Sequence, residues 1–164
     1  MRNLSNKSKY IKILIGCVSI YIGIFLFSSC DKNNKFPDKI PSVNVISAGG
    51  TYKTIAGEGT WFDKEQGGGN SFIGSINEKF EEIAFIEVSS KEKLSFDISY
   101  SDNIQEVTLY SVDFSEIDSG KRIKLLDNVY EFDAPEDKGE YYYSFNIKWD
   151  DTHNFEYLFK IKVT

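Results

Sequence analysis

The chain has almost none of the side chains on which thiol, imidazole and metal chemistry depend. Among 164 residues there are two cysteines and one histidine. Both cysteines, Cys17 and Cys30, lie within the first 30 positions, so a chain beginning at Cys30 has no second thiol and cannot build a disulfide framework. With no cysteine after position 30 and a single histidine, the body has neither a cysteine–histidine dyad nor a multi-histidine zinc site. No Gly-x-Ser-x-Gly elbow is present. The glycine run Gly67 to Gly69 is not followed by a lysine in phosphate-cradling spacing, and no strand-to-helix context surrounds it. The apolar run Ile13 to Phe27 has 15 residues and falls short of the roughly 20 needed to span a bilayer.

What is present at the amino terminus is an export pattern. Arg2, Lys7, Lys9 and Lys12 supply four positive charges with no acidic residue before Asp31, and the apolar run follows them. That is a charged region followed by a hydrophobic one, as in a secretory signal. The run closes on Leu26, Phe27, Ser28, Ser29 and Cys30, after which Asp31, Lys32, Asn33 and Asn34 turn abruptly polar. This ending resembles the lipobox of bacterial lipoproteins, with Phe27 where that family prefers leucine. The resemblance implies that the Cys30 thiol receives a diacylglycerol and that cleavage leaves Cys30 as the first mature residue. Acyl chains on one residue hold a protein at a membrane because each buried methylene contributes about 0.8 kcal/mol. The expected division is therefore 1–29 signal peptide, 30–42 lipidated cysteine and tether, and 43–164 folded domain. Within the tether, Asp31 to Pro41 is polar, carries Pro37 and Pro41, and shows no periodicity.

Processing changes both size and charge. Removing 29 of 164 residues leaves 135, enough for one domain that buries roughly two-thirds of its unfolded surface. Removing four of the 19 basic residues leaves 15 against 25 acidic ones, a net charge of about −10. That balance excludes nucleic acid as a partner and argues against a polybasic membrane-binding face.

From Val43 onward the dominant signal is alternation. Leu94, Phe96, Ile98 and Tyr100 share one face of a strand, and Tyr141, Tyr143, Phe145, Ile147 and Trp149 share another. Phe155, Tyr157, Phe159, Ile161 and Val163 repeat the pattern, with Glu156, Lys160 and Lys162 opposite. The polar stretch Asp150 to Asn154 has hairpin length, so these last two strands are expected to be antiparallel neighbours. Further strands are expected at 43–47, 51–62, 83–88, 106–113 and 122–132, the last with a turn signal at Asp127 and Asn128. Ser75 with Glu78 fits a capping box before a short helical turn. About eight short strands with one apolar face predict an all-β, antiparallel β-sandwich.

Asp137, Gly139, Tyr141 and Tyr143 form a D-x-G-x-Y-x-Y pattern. It resembles the tyrosine corner of immunoglobulin-like domains, with Tyr143 where antibody domains place a disulfide cysteine. The resemblance implies that the Tyr141 hydroxyl hydrogen-bonds back to the corner backbone. The wider pattern of Trp61 after a glycine, then Gly139, Tyr141, Trp149, Tyr157, Phe159, Ile161 and Val163, resembles small uncharacterised lipoproteins of Gram-positive bacteria, which have no assigned reaction to carry over.

Candidate functional residues fall in a few places. Gly57 to Asn70 sets Trp61 and Phe62 between glycine-rich stretches. One reading is a mobile binding loop with these two aromatics as anchors; the favoured one is that Trp61 ends a strand and caps the core while the glycines form a disordered loop. His153, with Asp150, Asp151 and Asn154 around it, is read as part of a solvated turn rather than a metal site. The acidic pairs Glu81–Glu82, Glu136–Asp137 and Asp150–Asp151 are sequential, and neighbouring side chains in turns diverge, so their use as an acid and base across a glycosidic bond is the lesser reading. The turn Asp113 to Asp118 lacks the ligand spacing of calcium loops. Tyr110, Tyr130 and Tyr142 are candidates for an outward carbohydrate or protein contact. No cofactor or metal is expected.

These readings converge on a lipid-anchored, extracytoplasmic module at the cell membrane. Its expected work is to bind or scaffold an envelope protein or glycan rather than to catalyse. The alternative is a cell-envelope hydrolase accessory, or weak glycan-acting enzyme, using the paired carboxylates.

Overall fold

The computed structural model describes residues 36–63, 67–114 and 121–164. Cys30, with the signal and the first part of the tether, lies outside the described residues. Eleven strands and one short helix follow in order: β1 (Val43–Ser47), β2 (Gly50–Lys53), β3 (Ile55–Asp63), β4 (Gly67–Ser71), α1 (Ile76–Glu81), β5 (Ile86–Val88), β6 (Lys93–Ile98), β7 (Glu106–Asp113), β8 (Lys121–Asp127), β9 (Glu131–Asp133), β10 (Gly139–Lys148) and β11 (His153–Val163). They form a sandwich of a four-stranded sheet, ordered β2-β1-β6-β9, and a seven-stranded sheet, ordered β4-β3-β11-β10-β7-β8 with β5 beside β11. The chain is thus the antiparallel β-sandwich that its alternation predicts, with β5 and β11 as a parallel pair.

The expected hairpin is the spine of the large sheet. β10 and β11 pair in continuous register from Gly139 with Val163 to Lys148 with Asn154. Their inward rows, Tyr143, Phe145, Ile147, Phe155, Tyr157, Phe159, Ile161 and Val163, are all buried. Against them the small sheet sets Val43, Val45, Leu94, Phe96 and Phe132. The Phe96 ring stacks on Phe145 with centroids 3.7 Å apart, which ties the two layers together. Each such side chain removed from water contributes about 1.5–3 kcal/mol, so this aromatic seam dominates the stability of a chain without disulfides.

The three strands beyond the expected eight have physical causes. Two stretches read as single strands each cross from one sheet to the other. Thr54 breaks 51–62 into β2 and β3, with its amide and hydroxyl both donating to the Val43 carbonyl. Asn128, at φ 50°, turns the chain between β8 on the large sheet and β9 on the small one. The third is a correction. Gly67 to Asn70 is not a disordered loop, because β4 pairs with β3 from Gly59–Ser71 to Asp63–Gly67.

β11 is covered on both faces, which alternation alone does not predict. Of Glu156, Lys160 and Lys162, expected opposite the apolar face, the first two are buried, with Leu158 between them, and only Lys162 is exposed. Helix α1, capped by Ser75 accepting from the Glu78 amide at 3.4 Å, lies over Leu158 with Ile76, Phe80 and Ile83. Lys160 Nζ donates to the Phe80 carbonyl at 2.8 Å and stands 4.3 Å from the Phe85 ring. The Phe80 carbonyl at the helix end, which also accepts from the Ile83 amide at 3.2 Å, thereby meets a cation.

The corner at Pro135 to Tyr143 has the geometry its residues imply. The Tyr141 hydroxyl donates to the Asp137 carbonyl at 2.8 Å. Tyr143 points into the core, where burial pushes its phenol well above its ordinary value.

Candidate functional site

The residues just before β1 are part of the folded body rather than free tether. Phe36 packs against the core, the Pro37 carbonyl accepts from Trp61 Nε1 at 2.9 Å, and the buried Tyr157 hydroxyl donates to the Pro41 carbonyl at 2.8 Å. Residues 36–41 therefore form a strap held by one ring and two carbonyls. The boundary expected at Val43 moves to Phe36, because aromatic donors from β3 and β11 need acceptors when they are buried.

Beneath the strap lies a cluster of rings. Trp61 on β3 is 8% exposed and sits edge-on to Trp149, with centroids 5.1 Å apart. Trp149 Nε1 donates to the Tyr100 carbonyl at 3.2 Å. Phe36 stacks flat on His153 at 3.9 Å and meets Trp61 and Tyr100 by their edges. His153 begins β11 and is 4% exposed, so the solvated turn expected for it is wrong. The hairpin folds it back under Phe36, and only the intervening residues 149–152 form the turn.

Asp150 holds the imidazole. Its Oδ1 accepts from the amides of Thr152 and His153, from the Thr152 hydroxyl at 2.9 Å and from His153 Nδ1 at 2.9 Å. Burial opposes ionisation of this carboxyl, yet the bonds from Thr152 and His153 together hold it below its ordinary value. A carboxylate only accepts, so the Nδ1 facing it carries a proton. The ring's Nε2 is buried without a hydrogen-bond partner.

Beside the strap opens a cleft of about 600 Å³, within the range of small-molecule sites. Phe36, Ile40, Trp61 and Phe155 supply its apolar walls, and the backbone of Gly67 to Ser71 forms the opposite side. Two of the three glycines are needed, Gly67 for its φ of 81° and Gly68 for its close approach to β3. A Cβ at Gly68 would collide with the Trp61 carbonyl, whereas one at Gly69 would meet nothing within 4 Å and would project into open space.

The sequence-derived contact residues do not converge here. Trp61 reaches the cleft by one edge but is mostly core, the favoured reading of it. Phe62, 41% exposed, points to the other face of β3 by alternation. Tyr142 is not an outward contact. It is part-buried against Phe80, Phe85 and Phe114, and burial, aided by the charge of Glu140, raises its phenol. Tyr110 is half-buried and Tyr130 is 48% exposed. The acidic pairs diverge. Glu82 binds Lys79 while Glu81 is exposed, Glu136 binds Lys91, and Asp150 turns to His153 while Asp151 binds Lys148. The turn from Asp113 to Asp118 lies largely outside the described residues. Among the described residues no group of three or more His, Cys, Asp or Glu is placed to hold a metal ion.

A second polar feature crosses the outer face of the large sheet, and sequence reasoning missed it. Glu156, 3% exposed, accepts both a side-on pair of bonds from Arg122 and a bond from the Ser144 hydroxyl. The Glu58 amide also donates to it, at 3.3 Å. A bulge supplies that amide. Phe155 pairs with Gly59 but Tyr157 with Ala56, so one extra residue of β3 stands opposite Glu156. Hydrogen bonding to Glu156 raises the Arg122 guanidinium further, against the effect of its burial. Every group in this array is satisfied, so it reads as structure rather than as a receptor.

Comparison with protein-family models, with curated proteins and with solved structures returns no match.

Proposed function

We propose that this chain is a lipid-anchored, extracytoplasmic binding module, and that its ligand enters the cleft between the strap and the β3–β4 hairpin. The observation that carries the reading is the cleft itself: about 600 Å³, lined by Phe36, Ile40, Trp61 and Phe155, by the polar Asp38, Lys39, Asn70 and Ser71, and by the glycine backbone of β4. Sites of that size with apolar walls and a few polar groups are where proteins hold ligands. The lipobox-like segment ending at Cys30 supplies the anchor. With the strap bound to the body, five residues, Asp31 to Lys35, separate Cys30 from Phe36. At about 3.3–3.6 Å per extended residue, this tether limits Phe36 to within roughly 20 Å of chain from the lipid. The ligand is then a membrane-proximal protein or glycan. Catalysis by acidic pairs is the weaker reading, because Asp150 and Asp151 turn to different partners and no member of any pair lines the cleft.

Two measurements test this in the full chain. Cys30→Ala should abolish incorporation of radiolabelled palmitate and leave the signal uncleaved by the lipoprotein route; unchanged labelling removes the anchor. A photocrosslinking amino acid in place of Gly69, where the side chain has open space, should capture one reproducible species at the cell envelope. No species above that captured from an exposed control at Glu136 would remove the cleft as the binding site.

A further inference from the structure

Four strands form the ends of the two sheet orders: β2 and β9 on the small sheet, β4 and β8 on the large one. Exposed edges are templates for further pairing, and proteins guard them with charges, proline or cover. Three of the four are guarded in that way. β2 carries Lys53, β9 carries Glu131 and Asp133, and β8 carries Lys121, Arg122, Lys124 and Asp127. β4 reads Gly-Gly-Gly-Asn-Ser, with no charge and no proline. Gly67 to Asn70 are exposed, and among the described residues β4 pairs with β3 alone. Exposed rings flank it: Phe62, opposite Gly68, and Phe72, 80% exposed directly after the strand. The cleft runs along this same edge.

We propose that β4 is an acceptor for strand addition, and that the cleft ligand is an extended, basic segment of another protein. The segment adds to the free edge by main-chain hydrogen bonds, and its alternate apolar side chains enter the cleft over Trp61 and Phe155. This is the usual division of labour in strand addition, in which the main chain gives affinity and pockets for every second side chain give specificity. Glycines suit the role because they let a second backbone approach without side chains between. The charged residues lining the cleft balance, Asp38 against Lys39, so the long-range charge of the body sets the sign of the partner. The body after Cys30 carries about −10, which attracts a Lys- and Arg-bearing segment and repels a second copy of itself.

The inference rests on the cleft being the binding site, and the two can fail separately. The probe is a library of acetylated, amidated octapeptides alternating Lys or Arg with Val, Ile, Phe or Tyr, screened against the full chain in detergent micelles. The tightest member is then remade with N-methyl groups on alternate residues. The expected result is that N-methylation weakens binding by about tenfold or more while leaving the side chains intact. Gly69→Lys, which adds an edge charge at a position with open space, should weaken it comparably. The β4 amides should gain about tenfold or more protection from hydrogen exchange in the complex. Equal affinity of the N-methylated peptide, or no binding at about 1 mM by the folded chain, overturns strand addition. A dimer dissolved by Gly69→Lys, without peptide binding, puts a second copy on the edge and overturns the foreign segment. Capture of a glycan at Gly69 without peptide binding overturns the inference and leaves the binding-module reading standing.

Discussion

Arg122 and Glu156 offer the sharpest test of how the outer face of the large sheet is held, because the two partners are buried unequally. Glu156 has a side-chain exposure of 3% and Arg122 of 31%. Truncating Arg122 to Leu leaves a buried carboxylate with only the Ser144 hydroxyl and the Glu58 amide to satisfy it. Breaking a buried pair in this way costs about 3–5 kcal/mol, and the two remaining donors reduce that to about 2–4. Glu156→Gln leaves the cation, not the anion, without a partner. Arg122 reaches water, so the cost is that of weakened hydrogen bonds, about 1–2 kcal/mol. The order is therefore asymmetric, with the more exposed residue the more costly one to lose. Combining Arg122→Leu with Glu156→Gln removes the charge that must be desolvated, and the double variant should be more stable than the sum of the two single losses predicts by about 1–2 kcal/mol. Urea unfolding at neutral pH, with unchanged dependence on denaturant, reads these differences. Equal losses below about 0.5 kcal/mol, or strict additivity, would show the pair to be an ordinary surface contact and refute the argument.

Three other perturbations bear on separate parts of the molecule. Phe36→Ala should cost about 1–3 kcal/mol in urea unfolding, less than for a fully enclosed ring, and should shift the imidazole resonances of His153, the chain's one histidine; unmoved resonances would mean the strap does not cover that ring. Tyr141→Phe removes the corner hydrogen bond and should lower stability by about 1 kcal/mol, and no loss on denaturation would deprive that corner of its structural role. The Asp150 carboxyl is held below its ordinary value in the fold, so its contribution is fully present above the unfolded value, about 3.9, and fades as pH falls through the lower folded value. The stability gap between the wild type and Asp150→Asn should accordingly stay constant from neutral pH down to about pH 4 and narrow below it; a gap that closes already near pH 6 contradicts that sign.

The layer architecture was legible because it depends on a local rule. Every second residue from Tyr143 to Ile147 in β10 and from Phe155 to Val163 in β11 is large and apolar, and a strand with one such face has few solutions other than packing against another sheet. Where the chain changes sheets the rule is silent. Nothing in the alternation of 122–132 distinguishes one bent strand from two strands on different layers; only the turn signal at Asp127 and Asn128 marks the crossing, and Asn128 takes the left-handed conformation there. β4 was misread for a related reason. A run of glycines has no side-chain pattern to betray a strand, and its pairing is supplied by β3, whose Trp61 carbonyl leaves room for nothing larger at Gly68.

The site residues were illegible where burial is decided by what lies on top. His153, flanked by Asp150, Asp151 and Asn154, has the local composition of a solvated turn, yet it is sealed by Phe36, a residue more than a hundred positions earlier in the chain. Glu156 shares the less apolar face of β11 with Leu158 and Lys160, yet a bulge in β3 and a side chain from β8 close over it. In both cases the covering group comes from an element that has to cross the strand order to reach it, so no window of sequence around the covered residue contains the signal. The same logic separates the two sites. Around Glu156 the covering groups meet every acceptor, and the array is complete. Around the strap they leave the imidazole Nε2 without a partner and the β4 edge without a guard. The exposed main-chain groups of β4 lie beside the apolar cleft and can exchange water for a ligand's main chain, whereas Nε2 is sealed under Phe36 and does not line the cleft, so the proposed binding rests on the cleft and the β4 edge alone.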